Sequence, residues 1–217
     1  MLSIINSLKK HKIARSVLSV VLALAVLCSA LSMVALIPAF AEYEIWDGSR
    51  TAPTKGSGTS SDPFEISNGS ELAYVIKEGG EGKYYELTKD IYLNDITKYD
   101  WMSDTASSAV KGWYTSDDVA NGFNGTIDGD FHTVYGLYSK YIHSCWAGND
   151  GGRGLIPVVL TGQTATIKNL TIDYAHVDAE VNAAAFVGNA QFGTVILDSC
   201  VAGENIYITG YHATALV

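Results

Sequence analysis

"TATIKNLTIDYAHVDAEVNAAAFV" (residues 164–187) and "TVILDSCVAGENIYITGYHATALV" (194–217) lie thirty residues apart and carry apolar side chains at matching places. Ile167 falls over Leu197, Leu170 over Cys200, Val177 over Tyr207, Phe186 over Leu216 and Val187 over Val217. A looser copy, "FNGTIDGDFHTVYGLY" (123–138), fits at an offset of thirty-three, with Val134 over Ile167 and Leu137 over Leu170. Short apolar runs, turns at intervals and a repeat near thirty residues point to a solenoid. Helical repeats of that length need amphipathic runs of about ten residues or more. "TVILDSCV" and "NIYITGY" are too short and too rich in β-branched and aromatic residues for that, so the repeat unit is made of strands.

In such a solenoid each repeat is one coil, and coils stack at the roughly 4.8 Å spacing of neighbouring strands. Equivalent side chains then form ladders through the core: Val134, Leu137, Ile167, Leu170, Leu197 and Cys200 are the expected core positions. One coil cannot bury its own apolar face, so both ends need covering. At the amino side, "SELAYVIKEGG" changes period: Leu72, Val75 and Ile76 share a helix face, Ser70 is the expected N-cap, and Gly79-Gly80 ends the helix. At the other side "HATALV" stops in mid-coil. A bare strand edge there would invite aggregation, so the expectation is a fragment of a longer protein with further coils or domains after Val217.

Working outward, residues 1–41 read as a signal peptide. Lys9, Lys10, Lys12 and Arg15 precede an uncharged apolar run from Val17 to Ile37; Pro38 breaks it, and Ala39-Phe40-Ala41 is a small-x-small cleavage pattern. The run is also long enough to be an uncleaved anchor. A lipoprotein reading of Cys28 fails on the bulky Leu27 before it. Cleavage after Ala41 leaves 176 residues with 23 acidic against 10 basic, a net charge of −13. That charge disfavours nucleic acid as a partner, and a membrane except through the export signal. All 21 glycines fall in this part, about 12% against roughly 7% in average proteins, which indicates many turns.

Residues 42–63 form a Gly-, Ser-, Thr- and Pro-rich extended lead-in, 64–93 an amino-terminal cap with a helix and the first strands, 94–122 an irregular surface loop, and 123–217 the coils. Export permits a disulfide between Cys145 and Cys200, but Cys200 sits in an apolar strand pattern that suits a small buried thiol equally well.

The segments "FNGTIDGDFHTVYGLY", "GLIPVV", "ATIKNLTI", "AAAFVGNAQFGTVILDSCVAG" and "ATALV" resemble the GLUG-type repeats of bacterial cell-surface proteins. The opening "WDGSRTAPTKGSGTSSDPFEISNGSELAYV" is similar to the segment that often precedes them. The resemblance spans roughly residues 46–217. It implies an all-β fold, a right-handed parallel β-helix, on a large exported protein, and no established enzymatic activity. The family pattern has glycine before the histidine of D-G-x-G-H, whereas this chain has Phe131. A β-carbon makes a positive φ costly there, so the corner is expected to differ.

Three groups are chemically capable. Asp128, Gly129, Asp130 and His132 could form a cation site or an acid–base carboxylate pair. Asp and Gly between two strand signals are also ordinary turn formers, and that is the expected role, with His132 packing or bonding a backbone carbonyl. "AGNDGGRG" (147–154) offers Asn149, Asp150 and Arg153 but lacks the spacing of a calcium loop, so a flexible loop is expected. Trp46, Trp101, Trp113, Tyr114 and Trp146 lie in or beside irregular segments. If exposed, Trp101, Trp113, Tyr114 and Trp146 are the best ligand-binding residues, because indole and phenol rings stack on sugars; otherwise they form a lid. No nucleophile, zinc or phosphate-binding motif is present. The function expected is a non-catalytic scaffold or adhesin module of a bacterial surface protein, without cofactor or metal. Its partners would be host, environmental or cell-wall glycans. The alternatives are a carbohydrate-binding module or a β-helix enzyme acting on polysaccharide.

Overall fold

The structure, a computed structural model, describes residues 43–103, 110–113, 122–140, 152–190 and 192–217. Residues 43–217 belong to one compact unit; the signal peptide, Tyr114, Cys145 and Trp146 lie outside the described residues. A first partial coil holds β1 (Phe64–Ile66) and the helix α1 (Gly69–Lys77), and a second holds β2 (Lys83–Leu87) and β3 (Ile91–Tyr92). The third carries β4 (Gly125–Asp128), β5 (Thr133–Tyr135), β6 (Tyr138–Lys140) and β7 (Ile156–Val158). The fourth has β8 (Thr164–Lys168), β9 (Thr171–Asp173), β10 (Ala175–Asp178), β11 (Asn182–Ala184) and β12 (Val187–Asn189). The last has β13 (Thr194–Asp198), β14 (Val201–Ala202), β15 (Ile206–Thr209) and β16 (His212–Thr214).

Strands pair with their counterparts one coil away. The sheets run β1-β2-β4-β8-β13, β3-β5-β9-β14, β6-β10-β15, β11-β16 and β7-β12. Every pairing of these strands is parallel. The chain is an all-β parallel β-helix with one short helix.

Parallel stacking puts like on like. Phe64, Tyr85, Ile127, Ile167 and Leu197 form one inward ladder through five coils; Ile91, Val134, Ile172 and Ala202 form another. Ile127, Val134, Ile167 and Ile172 are fully buried, each stabilising the fold by roughly 1.5–3 kcal/mol relative to exposure. The register of the last two coils matches the thirty-residue offset at Ile167 and Leu197. Three expected rungs are corrected. Val177 pairs with Ile208, not Tyr207, because "AGEN" in the last coil holds one residue more than its counterpart. Val134 stands over Ile172, and Ile167 over Ile127. The expected alignment of Val134 with Ile167 and Leu137 with Leu170 therefore fails; the third coil is forty residues ahead at β4 and thirty-eight at β5. Its longer corner, "GDFH", absorbs the difference.

That corner takes the conformation expected to be avoided. Asp130 has φ 45° and Phe131 φ 65°, the left-handed region that a β-carbon disfavours. The equivalent corners use Asn169 (φ 51°) and Ser199 (φ 56°), so a left-handed residue between the first two sheets recurs in the last three coils. Phe131 remains 77% exposed. Gly129 is needed beside it: a β-carbon there would lie 2.4 Å from the Asn169 carbonyl oxygen.

The helix starts earlier than expected. Asn68, not Ser70, is the N-cap, its side chain accepting from the Glu71 N–H at 2.9 Å. The Glu71 carboxylate in turn takes the Ser67 N–H at 2.7 Å, a local exchange that fixes this end. At the other end Gly79 N–H donates to Ile76 O and Gly80 N–H to Val75 O, the Schellman pattern. Leu72, Ala73, Val75 and Ile76 are buried.

Residues 47–63 of the lead-in are mostly exposed, whereas Trp46 and the described stretches 94–103 and 110–113 carry buried side chains. Trp46 is buried and its N–H donates to Tyr92 O. Asn94, 2% exposed, reaches both Lys111 O and Gly136 O through its amide, and accepts the Lys111 N–H. One side chain ties the described parts of the excursion to the coils.

Candidate functional site

The inward ladders of the described residues are buried apolar side chains, so the polar chemistry lies on the outward-facing ladders and on the segments laid over them. Three places hold chemistry.

The first is the Asp128 corner. Lys168 Nζ lies 2.6 Å from Asp128 Oδ2, while Asn169 Nδ2 and the Asp130 N–H donate to Oδ1 at 3.0 Å each. Burial alone would raise the Asp128 pKa; the three donors outweigh it and hold the carboxyl below its usual value. Lys168 is raised in turn by its bond to Asp128. Asp128 is thus occupied in linking two coils, one of the outward row Glu65, Glu86, Asp128, Lys168 and Asp198. His132 does not bond a carbonyl as expected: its Nδ1 faces Asp90 Oδ1 at 3.2 Å, and the same oxygen accepts the Thr133 N–H at 2.9 Å. No group of three or more His, Cys, Asp or Glu among the described residues is placed to hold a metal ion.

The second is a tyrosine row that the sequence reading missed. Tyr43 stacks on Tyr92 at 4.1 Å between centroids, Tyr92 on Tyr135 at 4.8 Å, and Tyr174 continues it at 6.3 Å. The signal was available, since Tyr92 follows the inward Ile91 and Tyr135 the inward Val134, and alternation turns both outward. Burial and the neighbouring Tyr135 push the Tyr92 phenol up. Stacked rings spend their faces on each other and present edges and hydroxyls, so this row bonds coils together more than it offers a flat platform.

The third is a shallow open cleft between Tyr99, Asp100, Trp101, Ser103 and Val110 on one side and Tyr138 and His176 of the third sheet on the other. His176 faces outward yet is 2% exposed, because this segment covers it. Its ring stacks on Tyr207 of the last coil at 4.6 Å.

The tryptophans are placed otherwise than a sugar platform requires. Trp101 and Trp113 are 4% and 3% exposed. The Trp101 indole N–H donates to Ile96 O, and that of Trp113 to Leu155 O at 2.8 Å. Trp113 also meets Trp46 edge-on at 5.2 Å. Both fold down as the lid that was the alternative, since apolar rings of that size gain more from burial than from exposure. Of the 147–154 segment, Asn149 and Asp150 lie outside the described residues, and Arg153 bridges Ala183 and is 7% exposed. Cys200 has no disulfide partner among the described residues, its expected alternative partner Cys145 lying outside them, and its Sγ is 3.3 Å from Ile167 O.

No family model matches the chain, and no solved structure does. A relative described as "Putative Gly-rich membrane protein", from Evansella cellulosilytica, is 29% identical over 134 residues. The match covers 61% of this chain but 13% of that protein, so the chain spans a small part of the length of its relative. No helix among the described residues is long and apolar enough to cross a membrane.

Proposed function

We propose that this chain is a non-catalytic scaffold segment of an exported bacterial surface protein, of the GLUG-repeat type that its motifs resemble. The observation that supports it best is the continuity of the ladders. Five coils stack in one unbroken row from Phe64 to Leu197, an arrangement that suits a stiff support, and the Asp128 carboxylate is used to join two of them. The name of the Evansella relative, a membrane protein, agrees with placement at a cell envelope. Expression in a bacterial host, with amino-terminal sequencing of the product, tests the export part: the new terminus should be Glu42. Retention of residues 1–41 on a protein that stays inside the cell would overturn it.

A second reading, glycan binding, draws on the cleft at Trp101, Tyr138 and His176. Affinity electrophoresis through soluble polysaccharides tests it. Retardation lost in Trp101→Ala, with the circular dichroism spectrum kept, would favour it over a passive rod. Release of sugars from a polysaccharide panel, abolished by Asp128→Asn, would instead mean an enzyme.

A further inference from the structure

Three tyrosines of the outward row are held ring against ring. Tyr92 of β3 and Tyr135 of β5 are register partners on adjacent coils, and their rings stack at 4.8 Å between centroids and 19° between planes. Tyr43, from the segment ahead of β1, stacks on Tyr92 at 4.1 Å and 23°. Tyr174 stands apart, 6.3 Å from Tyr135 and tilted by 55°. The three stacked rings are only partly buried, so small molecules reach them. The Tyr43 hydroxyl donates to Asp95 Oδ1 at 3.3 Å, which gives its proton an acceptor if an electron leaves the ring. Tyr84 and Tyr211 are more exposed, at 40% and 83%. Tyr211 meets His212 edge-on, and among the described residues neither meets another tyrosine.

We propose that Tyr43, Tyr92 and Tyr135 form an oxidative modification site, at which a peroxidase-type one-electron oxidant fed by peroxide couples neighbouring rings into dityrosine. Each phenol gives up one electron and its hydroxyl proton. The unpaired spin of a phenoxyl lies on its oxygen and on the ring carbons ortho and para to it. The para carbon carries the side chain, so ortho carbons of two rings join, and their hydrogens move to the oxygens as the rings regain aromaticity. Per pair, two electrons and two protons pass to one hydrogen peroxide, which leaves as two waters. Coupling needs two rings in contact during the short life of the radicals, and a pair already held together meets that condition without an encounter between molecules. Tyr92 belongs to both stacks and is the centre of the site. Its link to Tyr135 joins positions forty-three residues apart on successive coils, which takes conformational freedom from the unfolded chain as a disulfide does. Its link to Tyr43 ties the lead-in to the second coil. The inference rests on the export reading only for the source of the oxidant, and the experiment supplies its own.

The full chain, dilute and with its thiols reduced and alkylated, is treated with a haem peroxidase and hydrogen peroxide. Blue dityrosine fluorescence, a denaturing gel and peptide mass mapping follow the product. The monomer should become fluorescent and lose the mass of two hydrogens, with the peptide holding Tyr92 joined to that holding Tyr43 or Tyr135. Oxidation of Met102 adds oxygen instead, so mass separates the two. Tyr92→Phe keeps a ring in the stack and should lower the monomer yield about tenfold, whereas Tyr84→Phe and Tyr211→Phe should leave it unchanged. A monomer yield that Tyr92→Phe does not lower would overturn the proposal. So would cross-links found only in dimers that disappear on dilution, or a treated chain with no linked Tyr92 peptide.

Discussion

Ile167 and Leu197 occupy adjacent rungs of one ladder, with the same direction, strand type and neighbours on one side. Ile167 is fully buried and Leu197 only partly so. The contrast repeats around the coil, and it separates what a strand's own sequence provides from what a neighbouring coil provides. A parallel coil completes neither its hydrogen bonds nor its apolar contacts alone. At the amino side, irregular segments with tryptophans and a helix substitute for a missing coil. At the other side the chain exposes Ile196, Val201, Leu216 and Val217.

The largest test of this contrast is a pair of truncations. Ile167→Ala should cost about 3–4 kcal/mol, within the range for buried aliphatics, and Leu197→Ala about 1 kcal/mol, because part of its surface is already in water. Urea melts of both variants measure the difference; equal losses would remove the distinction between closed and open rungs. A second comparison uses close approach of backbones. A β-carbon on Gly188 would lie 2.4 Å from atoms of Gly152 and Arg153, whereas one on Gly210, at the open coil, would be no nearer than 3.1 Å to anything. Gly188→Ala should therefore lose about 2 kcal/mol and Gly210→Ala clearly less, read as a shift in melting temperature.

At the closed side, Asn68→Ala should cost about 1 kcal/mol by removing the N-cap, with Asn68→Asp restoring most of it. If calorimetry found the variant unchanged, α1 would contribute little to closing that end. The smallest effect is a pH dependence. Asp128 is held below its usual value in the folded chain, so the stability it confers is present above the unfolded carboxylate pKa. It is lost as pH falls through the lower folded one. Lys168→Met should flatten the acid limb of a stability–pH curve; an unchanged limb would place the acid sensitivity elsewhere.

Much of the fold was legible because strand alternation and a thirty-residue repeat are local patterns. The offset of "TATIKNL" to "TVILDSC" gave the register of β8 and β13 without any structure. The register of the third coil was not legible, because "GDFH" lengthens a corner and no local signal says which residues a longer turn expels from the ladder. The site was less legible still. Tyr92 and Tyr135 are forty-three residues apart, and only stacking shows that their rings share one row. Trp113 reads as an exposed loop residue until Leu155, forty-two residues on, supplies its acceptor.

The sequence by itself determined the strand-built coil, its period, the inward apolar residues and the turn chemistry of Asp128 and Gly129, because all of these depend on neighbours within a few positions. Tertiary structure alone decided which rungs stand over which, that Trp101 and Trp113 fold inward, and that Lys168 answers Asp128 across coils. Each of those depends on residues that stacking brings within a few ångströms although the chain keeps them roughly thirty to forty positions apart.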